Sequence, residues 1–181
     1  MLNIPEYKEY AGETKIALMD NSSLAFMHEL SQRSYPSDGI LSVYDLILIP
    51  KWVMEEIEDS TYRSTYVEQL QAQGYPIRWI DETKYGAFVN DEDVNLYYIV
   101  EAAVSRVSEL MRFLRRKVKT EDLIDLPSAE EWMNRLYDEW PIHGRTLSTG
   151  RTLKKNAGEI SLTILSLIHI SDPRDPKTSR M

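Results

Sequence analysis

The chain contains no cysteine, and that absence excludes a disulfide framework, a thiolate metal site such as a zinc ribbon, and a cysteine nucleophile. Histidine is nearly as scarce. His28, His143 and His169 share no spacing and stand beside no nucleophile, so neither a triad nor a histidine metal site is indicated. Glycine and proline number only 7 and 8, which argues against a largely disordered chain. The glycines build no phosphate loop of the Walker or dinucleotide type, so ATP and NAD are not expected ligands. No apolar run is long enough to span a bilayer, and Met1 to Thr14, with Glu6, Glu9 and Glu13, lacks the apolar centre of a secretory signal. A soluble, cytoplasmic protein is the expectation. Basic residues are outnumbered 21 to 29, and the net charge of -8 speaks against non-specific coating of nucleic acid. It does not forbid a local basic groove beside an acidic site.

What is present suits one compact domain. The length of 181 residues and the 43% hydrophobic content allow a real core, and the expected domain covers residues 1–170. Lys15 to Met19 is a short strand-like run ending in Asp20-Asn21-Ser22-Ser23, after which Leu24, Phe26, Met27 and Leu30 recur at helical spacing. Tyr35 to Gly39 is turn-rich; Leu46 to Ile49 is a second strand, stopped by Pro50, which is placed to open a helix carrying Trp52, Val53 and Ile57. Helical character continues from Tyr62 to Gln73, Gly74 closes it, and Ile77 to Ile80 is a third strand. Strands alternating with helices predict an α/β protein with a mostly parallel sheet. A long amphipathic helix is expected from Asp91 to Leu114 and another from Ser128 to Trp140, the latter with Ser128 and Glu131 as a capping box. Pro141 to Gly158 is expected to be a loop, basic through Arg145, Arg151, Lys154 and Lys155, and an apolar helix follows from Glu159 to Ile168. The Tyr and Trp residues fall at helical spacing, where core packing accounts for them better than base stacking.

Three acids stand where a doubly wound sheet presents ligands, outside the carboxyl ends of its strands: Asp20, Glu56 and Glu159. Drawn together they repel one another unless a hard cation, Mg²⁺ or Mn²⁺, neutralises them. Such an ion polarises a phosphodiester and lowers the pKa of a coordinated water, which is nuclease chemistry. Each acid also has a plainer role. Asp20 suits a helix N-cap; Glu55, Glu56, Glu58 and Asp59 form an acidic run of the sort that marks a solvated helix face; Glu159 is a favourable charge at a helix N-terminus. The basic stretch 145–155 is either a solvated loop or the rim of the site, where Arg and Lys grip phosphates.

Leu18-Met19-Asp20-Asn21-Ser22, Ile49-Pro50 through Glu55-Glu56-Ile57, and Asn156-Ala157-Gly158-Glu159-Ile160-Ser161 resemble, in the same chain order, the first three acidic motifs of the PIN-domain family. The likeness covers residues 15–60 and 150–168. It implies a three-layer α/β/α fold and a metal-dependent endoribonuclease, the activity of many members, including toxins of bacterial toxin–antitoxin pairs. It further implies that Asp20, Glu56 and Glu159 ligate Mg²⁺ or Mn²⁺, that Ser22 holds the first carboxylate or a metal-bound water, and that Arg151, Lys154 and Lys155 seat RNA. Glu56 is preferred to Glu55 because it directly precedes apolar Ile57. An antitoxin or other protein partner, or a second copy, belongs to the same implication. The segment 91–140 exceeds the minimal family pattern and is expected to be an elaboration or a dimer surface. The family also expects a further strand and further acids after the Glu159 helix, so the end looks truncated. Asp172, or else Asp175, is the candidate fourth acid if Leu167 to Ile170 is an abbreviated strand; the alternative is that 171–181 is a disordered or non-native tail. Two other readings are an inactive PIN-like interaction module, working through the helix from Val94 to Leu114, and an unrelated α/β protein that binds a small acidic or phosphorylated ligand at helix N-termini.

Overall fold

Leu46-Ile47-Leu48-Ile49-Pro50 is an unbroken apolar run, the signature of a strand covered on both faces, and every one of its residues is buried. It forms the central strand, β2 (Leu46–Pro50), of a parallel sheet whose order is β1-β2-β3, with β1 at Ile16–Leu18 and β3 at Ile77–Ile80. Ile16, Ala17 and Leu18 lie opposite Leu46, Ile47 and Leu48; Ile47 to Pro50 lie opposite Ile77 to Ile80. The protein is therefore α/β. The computed structural model describes residues 2–8, 11–81, 112, 139, 143–148, 150, 152–154 and 157–171. The helices expected over 91–114 and 128–140, apart from single residues, lie outside the described residues, as do Arg151, Lys155, Asp172 and Asp175. The chain divides into two compact units, Met1–Ile80 with Leu147–Thr149, and Asp81–Thr146 with Gly150–Met181.

In the first unit the register of β1 on β2 is set by one carboxylate. Asp45, just before β2, accepts from the Thr14 amide at 3.0 Å, the Thr14 hydroxyl at 2.9 Å and the Lys15 amide at 2.9 Å, all through Oδ2. Helix α1 (Asn21–Gln32) leaves β1 and buries Leu24, Met27 and His28. Helix α2 (Lys51–Glu58) follows β2 directly, Pro50 being both the last strand residue and the N-cap; Val53, Met54 and Ile57 face the core. Helix α3 (Thr61–Ala72) is capped by the Ser60 hydroxyl, which accepts from the Arg63 amide at 3.4 Å, and buries Tyr66, Val67 and Leu70. Helices α1 and α3 meet through rings. His28 stands edge-on to Tyr62, centroids 3.9 Å apart at 84°, with Tyr66 at 4.8 Å. A 3-10 helix, Asp38–Val43, occupies part of the segment before β2 and buries Leu41.

Both α1 and α3 end in the same paired-bond cap. Ser34 N–H bonds to Ser31 O and Tyr35 N–H to Leu30 O; Gly74 N–H bonds to Gln71 O and Tyr75 N–H to Leu70 O. This Schellman arrangement needs a left-handed residue just past the helix. Glycine fills it at 74 (φ 92°), whereas serine fills it at 34 (φ 62°).

One strip of the first unit has no counterpart in the expected elements. Leu2, Ile4 and Tyr7 are buried, and the backbone of this segment lies along the outer edge of β3: Trp79 N–H bonds to Pro5 O at 3.1 Å and Tyr7 N–H to Trp79 O at 2.8 Å. The Leu2 amide is held by Glu58 Oε1 at 2.9 Å.

In the second unit the stretch expected to be a loop before Glu159 is instead an antiparallel hairpin, β4 (His143–Thr146) with β5 (Thr152–Lys154). The tetrapeptide Gly-Arg-Thr-Leu occurs at 144–147 and again at 150–153, and the two copies fold back on one another so that Thr146 lies opposite Thr152. β-branched threonines favour this pairing, and Gly150, at φ 83°, supplies the left-handed turn residue. Leu147, in the turn, is buried with the first unit, where the Ser148 amide donates to Asp59 Oδ1 at 2.6 Å. Helix α4 runs over Ala157–Ser171, so the abbreviated strand considered at Leu167 to Ile170 does not form. Nothing breaks the helix there: the first proline after Glu159 is Pro173. Ala157, Ile160, Ser161, Ile164 and Leu165 are its buried stripe.

Candidate acidic site at the start of α1

Because β1 and β2 are parallel neighbours, the segments leaving their carboxyl ends emerge side by side, and these segments are the starts of α1 and α2. Asp20 is the N-cap of α1, with extended backbone (φ -98°, ψ 166°), and its Oδ1 accepts from the Ser23 amide at 2.7 Å. The capping role is thus realised. It engages one carboxylate oxygen and orients the other.

The next residue makes the link to α2. Asn21 Nδ2 donates to Glu56 Oε2 at 3.0 Å, across 35 residues of sequence, and fixes the Glu56 carboxylate beside the residue that follows Asp20. The other end of the same amide is unusual: Asn21 Oδ1 is fully buried and accepts from no donor. An amide oxygen left in that condition costs about 1–3 kcal/mol, so the residue that follows Asp20 and holds Glu56 carries an unmet acceptor. Asp20, Asn21 and Glu56 offer oxygen only, the donor type that hard divalent cations select. In kind, these residues fit Mg²⁺ or Mn²⁺.

Ser22 is exposed and makes no hydrogen bond to Asp20; that bond comes from the amide of Ser23. Glu159 is exposed in the first turn of α4, within the second unit, and its carbonyl accepts from the Thr163 hydroxyl at 2.8 Å. Arg145 is exposed on β4, and Lys154 is the last residue of β5. Among the described residues, no group of three or more His, Asp and Glu side chains is gathered to hold a metal ion.

Sequence reasoning passed over two further residues. Asn21 stands in the sequence only within the cap sequence and the PIN-like motif around Asp20, and nothing local signals its bond to Glu56. Asp81, the residue directly after β3, is 6% exposed although it is an aspartate. The signal for it was legible, since an Asp ending an apolar strand is the pattern that singled out Asp20. Comparison of the chain with protein-family models, with curated proteins and with solved structures returns no match. No helix among the described residues is long and apolar enough to cross a membrane.

Proposed function

We propose that this chain is a PIN-like endoribonuclease of the cytoplasm that hydrolyses RNA phosphodiesters with Mg²⁺ or Mn²⁺. Asp20 and Glu56 hold the cation in the first unit. The observation that supports this reading best is the Asn21–Glu56 hydrogen bond. It ties the carboxylate of α2 to the residue beside Asp20, where the chain leaves two adjacent parallel strands, and it leaves a buried oxygen without a donor.

When bound, the cation supplies Lewis-acid polarisation of the phosphodiester and a more acidic water. The chain's own contribution is placement. The Ser23 amide holds one oxygen of Asp20, the Asn21 amide holds one oxygen of Glu56, and so neither carboxylate has to reorient as charge develops. The basic residues Arg151, Lys154 and Lys155 are the ones proposed to seat the RNA backbone. As in toxin-like nucleases, an inhibitory protein partner or a second copy of the chain would regulate access.

The test is cleavage of a mixed single-stranded and structured RNA pool by the purified chain with Mn²⁺ or Mg²⁺, beside EDTA. Asp20→Asn is the control of choice because asparagine caps a helix about as well as aspartate. Metal-dependent cleavage lost in the folded Asp20→Asn and Glu56→Gln proteins is the expected result. A well-folded wild type that neither cleaves RNA nor binds Mn²⁺ sinks the proposal and leaves the inactive interaction module in its place.

A further inference from the structure

Going beyond that reading and independent of it, we infer that the free edge of β1 pairs antiparallel with β1 of a second copy of the chain, about a two-fold axis at Ala17. The two ends of the sheet are built differently. At the β3 end the strip from Leu2 to Tyr7 closes the sheet through a single bridge, Glu6 with Trp79, beside Pro5 and the ion pair of Lys8 with Glu6 at 4.0 Å. A short pairing, a proline and charges are the features that keep an edge from recruiting another strand. The other end has none of them. Ile16, Ala17 and Leu18 of β1 are apolar and each is half-buried, and neither proline nor charge stands within the strand. The bonding groups then select the partner. Lys15, Ala17 and Met19 turn their backbone groups to β2, as Leu46 N–H bonds to Lys15 O at 3.3 Å and Met19 N–H to Leu48 O at 2.9 Å. Alternation along the strand turns the N–H and C=O of Ile16 and Leu18 outward, where no group of the described residues meets them. That outward row is bounded on both sides: the Thr14 amide is held by Asp45 Oδ2 at 3.0 Å, and the Asp20 carbonyl accepts from the Leu24 amide at 3.2 Å. What remains is self-complementary. With Ala17 opposite the partner's Ala17, Ile16 exchanges both of its bonds with the partner's Leu18, and Leu18 with the partner's Ile16. A slip of the register in either direction would call on Thr14 or Asp20, whose groups are taken. No like charges are opposed, because Lys15 faces the partner's Met19. The axis, where opposed Cα atoms approach to about 4.5 Å, carries the small Ala17. Two-fold symmetry closes the assembly at a dimer and makes one sheet of two.

The experiment measures the mass of the full chain by light scattering over a range of concentrations, and uses the absence of cysteine to map the contact. A concentration-dependent dimer is expected. Ile16→Pro removes one outward N–H from each copy and leaves the bonds to β2 in place; the loss of both should raise the dimer dissociation constant by about 30-fold, with circular dichroism unchanged. Ala17→Cys sets two thiols at the axis, within the Cα separation that a disulfide requires, whereas in Ile16→Cys they stand diagonally, about 7–8 Å apart. Under mild oxidation by diamide, Ala17→Cys should form the cross-linked dimer much faster than Ile16→Cys. It should also outpace Val43→Cys, whose exposed position in the 3-10 helix reports random collision. A wild type that stays monomeric overturns the inference: fast deuterium exchange of the Ile16 and Leu18 amides would then leave the edge to an extended segment of another protein, and slow exchange would show that the chain covers it itself. A dimer that folded Ile16→Pro does not weaken, or an Ala17→Cys cross-link no faster than that of Ile16→Cys or Val43→Cys, overturns it as well. Should Ile16→Pro fail to fold, the cysteine comparison decides alone. None of these readouts involves a cation or RNA, so the dimer and the nuclease reading stand or fall separately.

Discussion

Helices α1 and α3 end in the same hydrogen-bond pattern but place different residues at the left-handed position, Ser34 and Gly74. Exchanging the residue types should move stability in opposite directions. A Cβ built on Gly74 meets nothing within 4 Å, so Gly74→Ala introduces no clash and its effect is conformational. Holding an L-residue in the left-handed region costs about 1–2 kcal/mol. Removing glycine's freedom from the unfolded chain returns about 0.4–1 kcal/mol. The difference predicts that Gly74→Ala destabilises by about 1 kcal/mol, and that Ser34→Gly, the reverse exchange at an exposed position, stabilises by about 0.5–1 kcal/mol. With a urea slope of about 2 kcal/mol/M, these are midpoint shifts of about 0.5 M down and about 0.25–0.5 M up. Equilibrium urea unfolding followed by far-ultraviolet circular dichroism resolves both. If Ser34→Gly lowers the midpoint, or if both variants move the same way, the serine side chain stabilises the cap through a contact not accounted for and the reasoning fails.

The two Thr14 groups and the Lys15 amide hold Asp45 below the ordinary carboxylate value of 3.8. A depressed native pKa gives stability that is present above that value and lost as pH falls through the folded one; the advantage of wild type over Asp45→Asn in urea midpoint should therefore be full at pH 6 and shrink below pH 4. Asp20→Ala should cost about 1 kcal/mol through the lost cap, and Asp20→Asn only a few tenths; equal losses in thermal unfolding would show that the Ser23 bond is not what the aspartate contributes. Burial pushes the Tyr66 phenol above 10.0, with Ser37 opposing the shift and the Asp38 carboxylate adding to it. A raised native pKa gives stability complete below pH 10 and lost as pH climbs through the folded value, so Tyr66→Phe should retain more of its stability than wild type between pH 10 and 11, measured relative to pH 8.

The legible part of the fold is the part whose cause is local. Ile77 to Ile80 is a strand as expected, and β1, β2 and α1 to α3 fall within a residue or two of expectation, because apolar runs there are bounded by Asp20, Pro50, Ser60 and Gly74. The hairpin was hidden because its strands span four and three residues and carry threonine, arginine and histidine rather than an apolar alternation. The edge segment was hidden because Pro5 interrupts its pattern and its partner, Trp79, stands more than 70 residues away. At the site, Asp20 could be picked out by its place after a strand, and Glu56 by its place in a helix. What joins them, an amide reaching across 35 residues, belongs to packing and leaves no periodic trace.

The strip from Leu2 to Tyr7 has a consequence for how the protein comes into being. Its backbone groups are completed by Glu58 and Trp79, yet it is synthesised more than 70 residues ahead of Trp79. At about 5–20 residues per second, several seconds pass before its partner strand has been made. During that interval β3 does not exist, and Leu2, Ile4 and Tyr7 are exposed apolar groups with no docking place. Closure of this long loop is a late event in folding, since the entropy of bringing distant segments together is met only once they pair. A chaperone that grips short apolar segments would find a handle there during that interval.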